Sequence, residues 1–131
     1  MASIFTKIIN REIPGYIVAE NDSCLAFLDI FPLVKGHVLV VPKQEVDYIY
    51  DLEDELLAEL HVFAKKVAKG IEKVIPCERV GVAVVGLEVP HAHIHLVPLN
   101  SMDDLNFSRK KLELAKEEMV AIAESISAAL E

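Results

Sequence analysis

The sequence predicts an α+β fold: an antiparallel sheet of about five strands with one long helix, a short N-terminal helix and a C-terminal helix. Three observations carry this. Apolar runs rich in β-branched residues recur at short spacing with turn residues between them. Residues 52–75 switch to a helical period. Neighbouring strands are joined by too few residues for the crossovers of a doubly wound sheet.

In chain order, Ile4, Phe5, Ile8 and Ile9 recur at helical spacing and predict a short helix over 4–9, broken by Pro14-Gly15. Residues 16–20 predict a strand, Asn21-Asp22-Ser23 a tight turn, and 24–28 the returning strand. Pro32 and Gly36 bracket a loop before a β-branched strand over 37–41, stopped by Pro42. The long helix follows, with Leu52, Leu56, Leu60, Phe63, Val67, Ile71 and Val74 on one stripe and Asp51 placed as its N-cap. Its acids lead and Lys65, Lys66, Lys69 and Lys73 trail, the order that suits the helix dipole; Pro76 ends it. Residues 80–85 and 91–97 predict two further strands, the second closed by Pro98. Leu112, Ala115, Met119, Ile122, Ile126 and Leu130 predict a terminal helix over about 108–130, a candidate for packing on a partner chain.

The chain has 131 residues, 53% of them hydrophobic and 26% charged. That fits a single domain over 1–131, large enough to fold without a disulfide or metal staple, and too apolar for disorder. No apolar run reaches the length of a membrane span, and the first residues lack a secretory signal's basic and apolar stretches, so a cytoplasmic protein is expected. A formal net charge of −8 argues against nucleic acid or an anionic membrane as partner, yet leaves room for a small phosphate ligand held by local donors. Cys24 and Cys77 form no Cys-x-x-Cys pair and read as reduced, buried thiols. His61 reads as a surface residue.

The chemistry concentrates at His91, His93 and His95. Alternate residues of a strand share a face, so three imidazoles point one way while Ala92, Ile94 and Leu96 point the other. Three buried histidines side by side would need partners for six ring nitrogens, which a core rarely supplies. Two chemistries use such a row. Metal binding is one, although no carboxylate follows at a suitable spacing. Nucleophilic attack on phosphorus is the other: crowding disfavours protonation, and the middle ring, His93, is flanked by His91 and His95. His37 adds a fourth imidazole if the two strands pair.

His91-Ala92-His93-Ile94-His95-Leu96-Val97 resembles the signature of the histidine triad (HIT) family. The likeness extends to Ile4–Ile9 with Ile13-Pro14, to Cys24–Ile30 with Pro32, and to Gly36–Lys43, in order over roughly the first hundred residues. The branch most resembled is that of the Hint nucleoside phosphoramidate hydrolases. The resemblance implies a HIT-like sheet and a homodimer; the 108–130 helix lies outside the matched pattern and reads as appended to it. It implies attack by His93 at the α-phosphate of a purine nucleotide conjugate (phosphoramidate, acyl-nucleotide or dinucleotide), then hydrolysis of the nucleotidyl-histidine to a monophosphate such as AMP. His95, His91 and His37 would contact phosphate or pass protons, Asp29 would bind the ribose hydroxyls, and Phe5, Ile8, Phe27 and Ile30 would wall the base pocket. Asp29 also reads as a turn carboxylate, and Phe5 and Ile8 as core. No cofactor is implied. The rivals are a non-catalytic nucleotide-binding dimer and a metal-dependent hydrolase.

The chain departs from the family in two places. Members usually carry an Asn before the triad and a Gly-Gln-Ser/Thr segment just ahead of it; here Val82 to Pro90 has neither, and Glu88 or Asn100 is the expected stand-in. Some bacterial members hold structural zinc through an N-terminal Cys-x-x-Cys; the matching positions are Ser3 and Thr6, so no metal is expected.

Overall fold

The computed structural model describes residues 2–130. Its elements are α1 (Ile4–Ile9), β1 (Ile17–Glu20), β2 (Cys24–Leu28), β3 (Val38–Pro42), α2 (Asp54–Val74), β4 (Arg79–Ala83), β5 (Ile94–Leu99) and α3 (Lys116–Ala129). All strand pairs are antiparallel, in the order β1-β2-β3-β5-β4. The predicted α+β class holds, with three helices on a five-stranded sheet.

The first hairpin turns on Asn21, whose side-chain oxygen accepts the N–H groups of Ser23 (2.9 Å) and Cys24 (2.7 Å). The register Leu28↔Val38 to Cys24↔Pro42 then sets β3 beside β2. Alternation sorts the side chains. Cys24, Ala26, Leu28, Val38, Val40, Ile94 and Leu96 face α2 and α3 in the main core, while Leu25, Phe27, Leu39 and Val41 meet Phe5 and Ile8 of α1 on the other side. Gly36 makes the bend into β3 with φ +92°, and a Cβ there would stand 2.9 Å from Ile75 Cγ1, so glycine alone fits.

Several boundaries differ from the sequence reading. Residues Ile49–Asp51 form a 3-10 turn, so Asp51 is not the cap of α2; Glu53 holds that place without a side-chain cap bond. The stripe itself is as expected, with Leu60, Phe63, Val67 and Ile71 buried. β4 stops at Ala83, leaving Val84 and Val85 exposed. β5 begins at Ile94 rather than His91, because the N–H groups of His91 and Ala92 go to Val89 and Val46 instead of a ladder. It then runs through Pro98, which only β4 flanks, since the β3 pairing ends at Val38↔Leu96.

The terminal helix starts at Lys116, not near 108. The preceding segment is pinned in a non-helical course by Arg109, which bonds Asp103, Asp104 and the Leu33 carbonyl, and by the Leu112 N–H on the Pro32 carbonyl at 2.8 Å. Within α3, Met119, Ala123 and Ile126 join the main core of this chain, and Leu130 lies where any Cβ on Gly70 would meet it at 2.4 Å. The helix therefore packs at home, against α2. Cys24 is buried, Cys77 only half-buried, and His61 exposed.

Candidate active site

His95 lies in β5 opposite Leu39, on the α1 side of the sheet. His93 and His91 precede the strand yet keep to that side: their rings stand 4.9 and 5.8 Å from Phe5. His93 and His95 are 4.9 Å apart edge to face. His37, one residue before β3, brings its ring within 5.2 Å of His95. All four histidines converge as expected, and all are buried, from 0% exposed for His91 to 8% for His95.

Their hydrogen bonds fix where the protons sit. Burial first, and neighbouring charge second, hold His37 down at about 3 and His95 at about 4. Burial likewise lowers His91 and His93, so the rings are neutral near pH 7. The Leu33 N–H donates to His37 Nδ1 at 3.0 Å, so His37 carries its hydrogen on Nε2 and donates to His95 Nδ1 at 3.0 Å. His95 must then carry its own hydrogen on Nε2. His93 donates Nδ1–H to the His91 carbonyl at 2.7 Å, which leaves its Nε2 as a bare lone pair. No fully buried side-chain nitrogen or oxygen among the described residues lacks a partner. The free Nε2 atoms of His93 and His95, which have none, therefore touch solvent.

His93 lines a cleft of about 230 Å³ whose walls include Tyr48, Tyr50, Val84, Val85 and Gly86. A larger groove of about 610 Å³ between β1, α2 and α3 offers Glu20, Glu59, Lys66 and Ser127 but no histidine. Of the expected site residues only His93 lines the smaller cleft; Asp29, His37, His95, Phe5, Ile8 and Phe27 lie outside its walls.

The expected base-pocket residues divide. Phe5, Ile8 and Phe27 form one buried cluster beside His93, with Phe5 and Phe27 edge to face at 5.4 Å; Ile30 stands outside it, 62% exposed. Asp29, just after β2, accepts the Phe31 N–H at 3.0 Å and places Oδ2 3.7 Å from His37 Nε2. Burial raises its pKa. Asp29, His37 and His95 are close enough together to hold a metal ion. However, His37 Nε2 is the atom that carries the ring's hydrogen, so it could ligate only as an imidazolate.

Asn100 is not a stand-in for the missing polar residues. Its side chain accepts the Glu78 N–H at 3.1 Å and lies 3.4 Å from the Pro76 carbonyl, at the far end of β5. Glu88 is near enough for its charge to act on His93 and Asp29. Two neighbours escape sequence reasoning. Phe107 lays its ring 4.8 Å from that of His95. Lys111, bonded to the Phe107 carbonyl at 3.3 Å, sets its charge against His37, His95 and Asp29. A helical reading of 108–130 hid Lys111, and Phe107 stands just before that range. The signal that could have found them is the Asn106 turn, in which Oδ1 accepts the Ser108 N–H at 2.9 Å.

A five-stranded antiparallel sheet with a row of neutral imidazoles at its centre defines a histidine-triad architecture. A family model of the HIT domain matches residues 10–102. The chain belongs to the HIT family. It is 36% identical over 130 residues, 97% of each chain, to an adenosine 5'-monophosphoramidase of Schizosaccharomyces pombe. Among solved structures it is similar to a Hit-like protein from Bartonella henselae, with TM-score 0.84, 30% identity and coverage of 97% of this chain and 95% of that one. A histidine triad nucleotide-binding protein from Sulfolobus tokodaii gives TM-score 0.82 at 29% identity, covering 96% and 90%.

Proposed function

We propose that this protein is a nucleotide hydrolase or transferase that acts at the α-phosphate of a purine nucleotide conjugate through a nucleotidyl-histidine. The His93 Nε2 lone pair attacks phosphorus and the bond to the leaving group breaks. The departing amine, acyl or phosphate group takes up a proton. Water then opens the P–N bond, shedding the proton that balances the first step, and a nucleoside monophosphate such as AMP departs. His95 Nε2–H donates to the phosphoryl oxygen or the leaving group, with His37 behind it fixing that tautomer. Asp29 accepts from the ribose, and Phe5, Ile8 and Phe27 face the base.

The observation that carries the reading is the 2.7 Å bond from His93 Nδ1–H to the His91 carbonyl, which aims an unprotonated, solvent-reaching Nε2 outward. The name of the fission-yeast relative supports the same substrate class. Rapid quench of the enzyme with adenosine 5'-phosphoramidate, followed by mass spectrometry, is expected to trap an adenylyl adduct that His93→Ala lacks. That variant is expected to lose roughly 10³-fold or more in kcat. Turnover by His93→Ala within about tenfold of the parent would sink the proposal. Loss with chelator and recovery with zinc would make the row metal ligands, and nucleotide binding without turnover would make this a binding protein. The enzyme is further proposed to work as a homodimer, a reading supported by the open edge of β4. No helix among the described residues is long and apolar enough to cross a membrane.

A further inference from the structure

His91 and His93 stand just before the sheet. The ladder that fixes His95 begins at Ile94 and does not reach them. The His91 ring is held instead from the N-terminal end of the chain. Ser3 Oγ lies 2.8 Å from His91 Nδ1. Glu45 Oε1 accepts both the Ser3 backbone N–H at 2.7 Å and the Thr6 hydroxyl at 2.5 Å, and the Thr6 N–H donates to Ser3 Oγ at 3.0 Å.

The hydrogens of this network can be placed. The Pro42 carbonyl only accepts, so His91 Nε2, 2.8 Å away, carries the ring's hydrogen. The carboxylate also only accepts and takes the single hydroxyl hydrogen of Thr6. The 3.4 Å approach of Thr6 Oγ1 to His91 Nδ1 therefore carries none. Ser3 Oγ also lies 3.2 Å from Thr6 Oγ1, but the 2.8 Å contact is the shorter and Nδ1 has no other donor, so Ser3 Oγ–H donates to Nδ1. His91 is thus bridged at both ring nitrogens, and its carbonyl is the group that receives His93 Nδ1–H.

We propose that Glu45, acting through Ser3 and Thr6, is a positioning residue for the nucleophile. By committing the Thr6 hydroxyl and the Ser3 N–H, it leaves Ser3 Oγ–H to lock the His91 ring. The locked ring holds the carbonyl that sets the tautomer and direction of His93. Glu45 touches no reacting atom. The role rests on His93 being the nucleophile.

Glu45 is exposed, so its replacements leave the core untouched. Glu45→Ala and Ser3→Ala are each expected to lower kcat for adenosine 5'-phosphoramidate roughly tenfold, with KM within about twofold. Long-range 15N spectra of the rings are expected to show His93 passing from one tautomer to a mixture. Glu45→Gln keeps an oxygen for both donors and is expected to stay within about threefold of the parent. Unchanged kcat in both alanine variants overturns the proposal. So does a lowered kcat with the His91 and His93 spectra unchanged, or a Glu45→Gln variant as impaired as Glu45→Ala. If His93→Ala proves active, the nucleophile assignment falls, while the ring spectra of Glu45→Ala still decide whether Glu45 orders this segment.

Discussion

Lys111 puts a fixed positive charge beside the paired rings of His37 and His95, in a chain whose formal net charge is −8. Two consequences follow from one charge. It disfavours protonation of both rings, which helps keep them neutral, and under the proposed mechanism it would attract the anionic phosphoryl group to His93. The second matters because the stretch from Val82 to Pro90 offers no amide or hydroxyl side chain for phosphate oxygens. Lys111 is half-buried, so its charge is only partly screened. Lys111→Ala is therefore expected to raise KM for a nucleoside phosphoramidate roughly threefold to tenfold, with a smaller effect on kcat. Steady-state kinetics at low and moderate salt check it, the effect shrinking as salt rises. An unchanged KM at low salt would remove Lys111 from the site.

Among the elements, β4 has the most to say about assembly. It pairs with β5 on one side, and its other edge has no strand beside it among the described residues. Val82 on it is 57% exposed, and Val84, Val85 and Leu87 continue the apolar strip beyond its end. Such an edge is a template for a second strand, and a two-fold axis would supply the same edge from another copy. Light scattering coupled to size exclusion is expected to give a dimer, and Val82→Lys, which repeats its charge on the partner, is expected to shift it towards monomer. A parent protein that runs as a monomer at about 50 μM would end the idea. Elsewhere the elements show how far sequence pattern reaches. Period and punctuation made α1, the first three strands and the α2 stripe legible, because each is decided by its own residues. The start of β5 and the first half of the terminal segment are decided by distant partners. Val46 takes the Ala92 N–H, and the Leu33 carbonyl takes the Arg109 guanidinium at 2.7 Å. The site divides in the same way. His91, His93 and His95 announce themselves by alternation, whereas Glu45 and Lys111 reach them only through folds of the chain that no local period encodes.

At the scale of the molecule, burying four imidazoles couples stability to pH. An ordinary His titrates near 6.5, while folded His37 and His95 hold out to about 3 and about 4. The unfolded chain therefore binds more protons than the folded one below pH 6.5, and acid favours unfolding. The stabilisation these rings contribute is fully present above pH 6.5 and is lost as pH falls towards their folded values, each costing at most about 1.4 kcal/mol per pH unit. The lowered carboxylates, Glu20, Glu45, Asp103 and Asp104, act in the same direction, but only below their ordinary values of 4.5 and 3.8. Asp29, whose pKa burial raises, acts in the opposite direction. From about pH 6.5 to about pH 5 the histidines dominate the slope, and urea midpoints are expected to fall steadily across that window. His37→Gln removes one titrating ring and is expected to flatten the fall. Midpoints constant from about pH 7 to about pH 5 would mean that these rings are not held neutral by burial at all. The same burial that makes the fold acid-sensitive leaves His93 Nε2 unprotonated at neutral pH. The acid limb of kcat is accordingly expected below the ordinary histidine value, in step with the loss of stability.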